Sequence, residues 1–165
     1  MEIRKAGEQD LVRAVELIDQ AKAHLKRLGV DQWQKGYPDA ASLRGDLAAG
    51  NGYVLVDGGH TVGYACISFD GEESYDTLQG EWLSGRPYAV IHRMAVDDDY
   101  KGRGLGSVFF QFTQALCIAR GVGSIKVDTD TDNAAMRHLL ETCGFRYCGV
   151  IRFDNSDKIA FEKLL

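Results

Sequence analysis

The chain has 165 residues, 45% of them apolar and 26% charged, with a formal net charge of −5. That is the size and balance of one soluble globular domain spanning residues 1–165, large enough to bury a core without disulfides or metals. The mildly acidic balance, with no basic block, argues against nucleic acid or an anionic membrane as the main partner.

In chain order, Glu2 to Lys5 is a short first strand. Leu11, Val15, Ile18, Ala21, Leu25 and Leu28 recur at helical period, and Gly29 stops that helix. A loop with Trp33, Tyr37 and Pro38 follows, then a short helix from about Asp39 to Ala49 closed by Gly50-Asn51-Gly52. Tyr53 to Val56 and Thr61 to Phe69 are strands around the hairpin turn Asp57-Gly58-Gly59-His60. Asp70 to Pro87 is polar and without clear period, a long loop or irregular hairpin. Tyr88 to Val96 is a strand and Gly104 to Ala119 a helix with Leu105, Val108, Phe109, Phe112 and Leu116 on one face. Ser124 to Thr129 is a strand. Asp132 can cap a helix from Asn133 to about Thr142, ended by Gly144. Phe145 to Arg152 and Lys158 to Lys163 close the chain as strands. The order β-α-α-β-β-β-α-β-α-β-β predicts a mixed α/β (α+β) domain in which antiparallel strands precede one parallel β-α-β crossover.

The opening Met1-Glu2-Ile3-Arg4-Lys5-Ala6 has no apolar run, so a signal peptide is not expected. No stretch approaches the roughly 20 apolar residues of a membrane span. Cys66, Cys117, Cys143 and Cys148 form no Cys-x-x-Cys pair. They read as reduced, mostly buried thiols of a cytoplasmic protein, without the His clustering that a metal site needs.

The stretch that carries chemistry runs from Val90-Ile91-His92-Arg93-Met94-Ala95-Val96 through Asp97 to Tyr100 into Lys101-Gly102-Arg103-Gly104-Leu105-Gly106. A strand enters a glycine-rich loop, and the loop opens a helix. Backbone N–H groups at a helix start bind anions, and glycines let the backbone approach a phosphate closely. Lys101 and Arg103 add positive charge. The alternative is a plain tight turn. A dinucleotide fingerprint fails, because its last glycine falls on Ser107 or Phe109, and the Gly-Lys-Ser/Thr of a P-loop is absent.

Lys101 through Gly106 resembles the acetyl-CoA motif of the GNAT superfamily of N-acetyltransferases, Gln/Arg-x-x-Gly-x-Gly/Ala, with Lys101 in place of Gln or Arg. A second signature, an Asn opening a helix that ends in Gly-Phe, is matched by Asn133 through Gly144-Phe145. The resemblance covers nearly the whole chain. It implies a single GNAT-like domain, a mixed central sheet flanked by helices, and acetyl transfer from acetyl-CoA to an amine without a metal. It further implies that Met94, Ala95 and Val96 lie along the pantetheine, with a backbone N–H near Met94 polarising the thioester carbonyl. Gly102, Arg103, Gly104, Leu105, Gly106 and Ser107 would cradle the pyrophosphate, with Lys101 beside them, and Asn133 would contact the cofactor.

A lysine-like amine has a pKa near ~10.4, so fewer than about one molecule in a thousand is neutral at pH 7 and a base helps. Asp128, at the end of the strand before the Asn133 helix, is the first candidate; otherwise it is a solvated strand-end carboxylate. His92, in an apolar strand, is the second; otherwise it is a hydrogen-bonded structural histidine. Strand alternation places His92 on the face of Val90 and Met94, opposite Arg93, which then reads as a surface or core-rim residue. Leu140 stands where the family often has a tyrosine that protonates the leaving thiolate. Trp82, Tyr75, Trp33 and Tyr37 either line a substrate pocket or pin two irregular loops. The expected acceptor is a small-molecule or peptide amine: metabolite, antibiotic, polyamine, protein N-terminus and lysine all stay open. A closing sheet edge could pair two chains into a homodimer. The competing readings are a non-catalytic acyl-CoA-binding regulator and a nucleotide-binding domain.

Overall fold

The structure, a computed structural model, describes residues 1–153 and 155–165. It contains α1 (Leu11–Arg27), α2 (Ala40–Ala48), α3 (Leu105–Arg120) and α4 (Ala134–Thr142). The strands are β1 (Glu2–Lys5), β2 (Gly52–Asp57), β3 (His60–Ser68), β4 (Gln79–Gly80), β5 (Tyr88–Val96), β6 (Ser124–Thr129), β7 (Arg146–Phe153) and β8 (Ser156–Leu164). Two compact units divide the chain: Met1–Ile67 with His92–Phe109, and Ser68–Ile91 with Phe110–Leu165. Strand β5 passes from the second unit into the first after Ile91, and helix α3 passes back after Phe109.

In the first unit β1, β2 and β3 form an antiparallel meander, from Glu2↔Val56 to the Asp57↔His60 hairpin. The Asp97 N–H donates to the Val62 carbonyl at 2.9 Å, tying the end of β5 to β3. Helix α1 buries Leu11, Ala14, Leu17 and Ile18 on Leu43 of α2 and on Val54, Tyr64 and Ala95 of the strands. Leu11, Ile18 and Leu25 of the predicted stripe are buried, whereas Leu28 is exposed because the helix has ended. Gly29 at φ 73° accepts the left-handed turn there. The Val30 N–H reaches the Leu25 carbonyl at 3.0 Å, and both those side chains are buried. Helix α2 starts where predicted, Asp39 accepting the Ser42 N–H at 2.9 Å.

In the second unit β5 runs parallel to β6, from Tyr88↔Ser124 to Val90↔Lys126. Antiparallel β8, β7 and the two-residue β4 follow in that order. This is the predicted mixed α/β class, with one parallel pair among antiparallel ones. Residues 70–87, read as loop or irregular hairpin, contain a 3-10 turn over Glu73–Thr77 and the edge strand β4. Local periodicity could not show β4, because its contact depends on two missing side chains. A Cβ on Gly80 would lie 2.1 Å from the Cys148 carbonyl oxygen, and one on Gly149 would lie 2.2 Å from that of Gln79. The segment is anchored by Tyr75, which packs with Val90, Ile151 and Ala160, and by Trp82 beside it. The fully buried Glu162 anchors it again, accepting the Leu83 N–H at 2.6 Å and the Ser84 and Ser124 hydroxyls at 3.0 and 2.6 Å. Among the described residues no helix is long and apolar enough to cross a membrane.

Candidate active site

The residues from Met94 to Ser107 lie consecutively in the first unit. Ala95 is buried in the core there, with Met94 and Val96 half-buried. The turn after β5 is held by Asp97, a buried carboxylate that pairs with Arg13 and accepts the Asp99 N–H at 2.8 Å. Tyr100 donates its hydroxyl to Asp57 at 3.1 Å, and Arg103 stacks over the Tyr100 ring at 4.6 Å. Lys101 pairs with Asp98, whose carboxyl it holds below the usual range by hydrogen bonding. Lys101 to Gly104 are exposed. Gly102 and Gly104 take φ of 77° and 76°, the left-handed region in which a Cβ is disfavoured.

Space remains around this loop. A Cβ on Gly102 would meet nothing within 4 Å, and one on Gly104 only the Ser107 hydroxyl at 3.7 Å. Helix α3 opens immediately, anchored by Leu105 and the fully buried Phe109. Phe109 fits because Gly63 on β3 has no side chain: a Cβ there would lie 2.9 Å from the ring. The Ser107 N–H and hydroxyl both return to the Gly104 carbonyl, at 3.1 and 2.6 Å. A helix start with positive partial charge, two left-handed glycines and two flanking cations are features that favour an anion.

Arg93 departs from the sequence reading. Its φ is 51°, left-handed in the middle of a strand, so simple alternation does not continue through it. Its side chain is largely though not fully covered, and it does not stand free at the surface. It pairs with both oxygens of Asp46 on α2, the Nε bond measuring 2.8 Å, and donates to the Tyr37 hydroxyl. Asp46 also accepts the hydroxyl of the fully buried Tyr64 at 2.7 Å. Burial is the largest single influence and opposes the Arg93 charge, but hydrogen bonding to Asp46 together with the charges of Tyr37, Cys66 and Asp46 outweighs it and raises the pKa. Burial, then Asp46, pushes the neighbouring Cys66 thiol up to about 12. His92 is half-buried and precedes this residue on β5.

The second unit holds the other two predicted residues. Asp128, on β6, accepts the Tyr75 hydroxyl at 2.8 Å. Tyr75 is buried, and burial followed by the Asp128 charge holds its pKa well above the usual phenol range, so it is the donor of this bond. The ring of Tyr75 lies 5.2 Å from Trp82 and 6.1 Å from Tyr88. Between Trp82 and Tyr88 is the buried Lys126 ammonium, 4.0 and 3.9 Å from their ring centres. Burial lowers its pKa. Trp82 and Tyr75 therefore pin their loop, and Tyr37 and Trp33 are likewise packed, the first on Arg93 and the second against the α1 core.

Asn133, not Asp132, caps α4, its side chain accepting the Met136 N–H at 3.1 Å. Asp130 pairs with Lys158. The Gly-Phe signature is the end of this helix. Gly144 is left-handed at φ 85°, and the Phe145 N–H reaches the Leu140 carbonyl at 3.0 Å. Leu140 is fully buried and Phe145 nearly so, the apolar pair that accompanies such a helix end.

A loop with left-handed glycines that opens α3 directly after β5, in a mixed sheet whose β5 and β6 run parallel, is the arrangement of an acyl-CoA-dependent N-acyltransferase. Residues 18–145 match the acetyltransferase (GNAT) family. The chain is 33% identical over 127 residues to the N-alpha-acetyltransferase RimI of Mycobacterium tuberculosis, an alignment covering 76% of this chain and 68% of that protein. A GNAT-family acetyltransferase from Streptococcus agalactiae superposes with a TM-score of 0.90 at 32% identity, over 99% of this chain and 95% of that one. The ribosomal-protein-alanine N-acetyltransferase of Brucella melitensis shares the fold, with a TM-score of 0.70 at 19% identity over the whole of both chains. The chain belongs to the GNAT acetyltransferase family and is an acyl-CoA-dependent N-acyltransferase.

Proposed function

We propose that the enzyme takes its acetyl group from acetyl-CoA and passes it directly to a primary amine, with no acyl-enzyme. The observation that carries this is the left-handed Gly102 and Gly104 at the start of α3, with open space where their Cβ atoms would be. In this reading the loop from Lys101 to Ser107 binds the pyrophosphate. Met94, Ala95 and Val96 run along the pantetheine, and the Met94 N–H polarises the thioester carbonyl. Asn133 contributes to the cofactor site beside its capping role. Asp128, oriented by the Tyr75 hydroxyl, receives the proton that the amine must lose, directly or through water; His92 is the second candidate. No thiol serves as nucleophile: burial raises the pKa of all four, that of Cys66 to about 12 and that of Cys117 to about 11.

The name of the mycobacterial relative denotes acetylation of α-amines. An α-amino group, with a pKa near ~7.7–8.0, is largely deprotonated by mild base, unlike a lysine side chain near ~10.4. Peptide N-termini therefore head the acceptor panel, followed by lysine, polyamines and small metabolites. The four free cysteines favour a cytoplasmic setting. The test is thiol release from acetyl-CoA with each amine, with mass spectrometry of the product. Stoichiometric N-acetylation supports the reading. Tight CoA binding without turnover of any amine would favour the acyl-CoA-binding regulator, a second reading motivated by the apolar, fully buried Leu140 at the tyrosine position.

A further inference from the structure

Arg93 combines features that packing alone does not require. A non-glycine residue adopts the left-handed region inside a strand, where a side chain is disfavoured, and such backbone persists only where surrounding contacts over-determine it. Those contacts are present. Both carboxylate oxygens of Asp46 grip the guanidinium, the Tyr37 hydroxyl accepts a further N–H, and Tyr64 donates its hydroxyl to the Asp46 oxygen that also accepts the Arg93 Nε. The whole group lies in the first unit, on α2, β3, β5 and the loop before α2. A buried ion pair adds little net stability compared with apolar packing, so its presence fits a geometric task better than a stabilising one. The next peptide bond in the chain belongs to Met94.

We propose that the Arg93–Asp46 ion pair is a positioning clamp that holds residue 93 left-handed and thereby sets the direction of the Met94 N–H. In an extended strand successive N–H groups alternate within the ladder. A left-handed residue at 93 rotates the Arg93–Met94 peptide away from that alternation and aims its N–H differently. Arg93 thus acts through Met94 and is a positioning residue. Tyr37 extends the clamp to the loop of residues 31–38. The inference rests on the reading in which the Met94 N–H meets the thioester carbonyl, and the two can fail separately.

The experiment follows the Met94 amide by NMR in the full chain, adding acetyl-CoA or CoA. CoA has the pyrophosphate and pantetheine but no thioester carbonyl. In the wild type the Met94 N–H resonance should move with acetyl-CoA well beyond its shift with CoA. In Asp46→Asn, nearly isosteric and still able to accept from Tyr64, that extra shift should be lost. Its kcat should fall at least tenfold while the Kd for CoA stays within about twofold. Arg93→Gly should retain more kcat than Arg93→Ala, because glycine takes the left-handed conformation without a side-chain penalty. An absent extra shift in the wild type overturns the thioester reading beneath the inference. An extra shift and kcat that survive in Asp46→Asn, or equal losses in Arg93→Gly and Arg93→Ala, overturn the clamp itself.

Discussion

Gly104→Ala separates binding from folding at the cradle. Gly104 has φ 76° and a new Cβ would meet only the Ser107 hydroxyl at 3.7 Å, so no steric clash arises in the free protein. The remaining cost is the left-handed backbone, about 1–2 kcal/mol for a residue with a Cβ. At this chain length that lowers Tm by roughly 2–8 °C. In the proposed site, the space that the Cβ fills is where a phosphate would approach. Losing one hydrogen bond to a charged group costs about 1.5–3 kcal/mol, or roughly 10–150-fold in Kd. Gly121→Ala is the matched control: it too is left-handed, at φ 67°, with nothing within 4 Å, and it follows the other end of α3. Thermal unfolding and titration calorimetry with CoA should show similar Tm losses in both variants and an affinity loss in Gly104→Ala alone. A folded Gly104→Ala protein that binds CoA as tightly as the wild type would refute the phosphate-cradle reasoning. Valine is the poorer probe, because its branched Cβ adds backbone strain of its own at positive φ.

Asp128→Asn should lower turnover of a high-pKa amine by ~10²–10⁴-fold with acetyl-CoA affinity nearly unchanged, and raising the pH should partly restore the rate. A loss that does not depend on pH, or no loss, would transfer the role to His92 or a water chain. Leu140→Tyr should change turnover per folded molecule less than about tenfold, or ~1.4 kcal/mol of barrier, since a thiolate leaves readily without an acid. It should also destabilise by about 1–3 kcal/mol, because Leu140 is fully buried; a large gain in kcat would contradict this. Asp10 accepts from Arg4 at 2.8 and 2.9 Å and from the Gly7 N–H at 2.8 Å, and hydrogen bonding to Arg4 lowers its pKa. A depressed folded pKa stabilises above the unfolded value, near ~3.9, and that stabilisation is lost as pH falls through the folded value. Asp10→Asn should therefore cost about 1.5–3 kcal/mol in urea unfolding at pH 7, a gap that closes as the pH drops below about 4 and whose persistence in acid would refute the account.

The parts of this protein legible in its sequence are those decided within a few residues. Strands β5 and β6 have the predicted bounds, because stretches rich in apolar and β-branched residues are flanked by polar or glycine residues. Helices α1 and α4 stop where glycine permits a left-handed turn. The glycine-rich loop before α3 was legible for the same reason: two glycines, two cations and a helix start are neighbours in the chain. The sequence reading takes Asp132 as the cap and the structure takes Asn133, since both residue types favour that position and only backbone geometry selects one. The tertiary structure alone decided what the isolated polar residues do. Arg93 reads as a rim residue until the fold brings Asp46, 47 positions away, against it. Tyr75 finds Asp128 across 53 positions, and Glu162 finds Leu83 across 79. Periodicity carries no trace of such pairs, because it reports which face of an element is apolar. The partner of a buried charge is set by register and packing between elements distant in the chain, and the need to satisfy that charge becomes a constraint only after the surrounding core has closed.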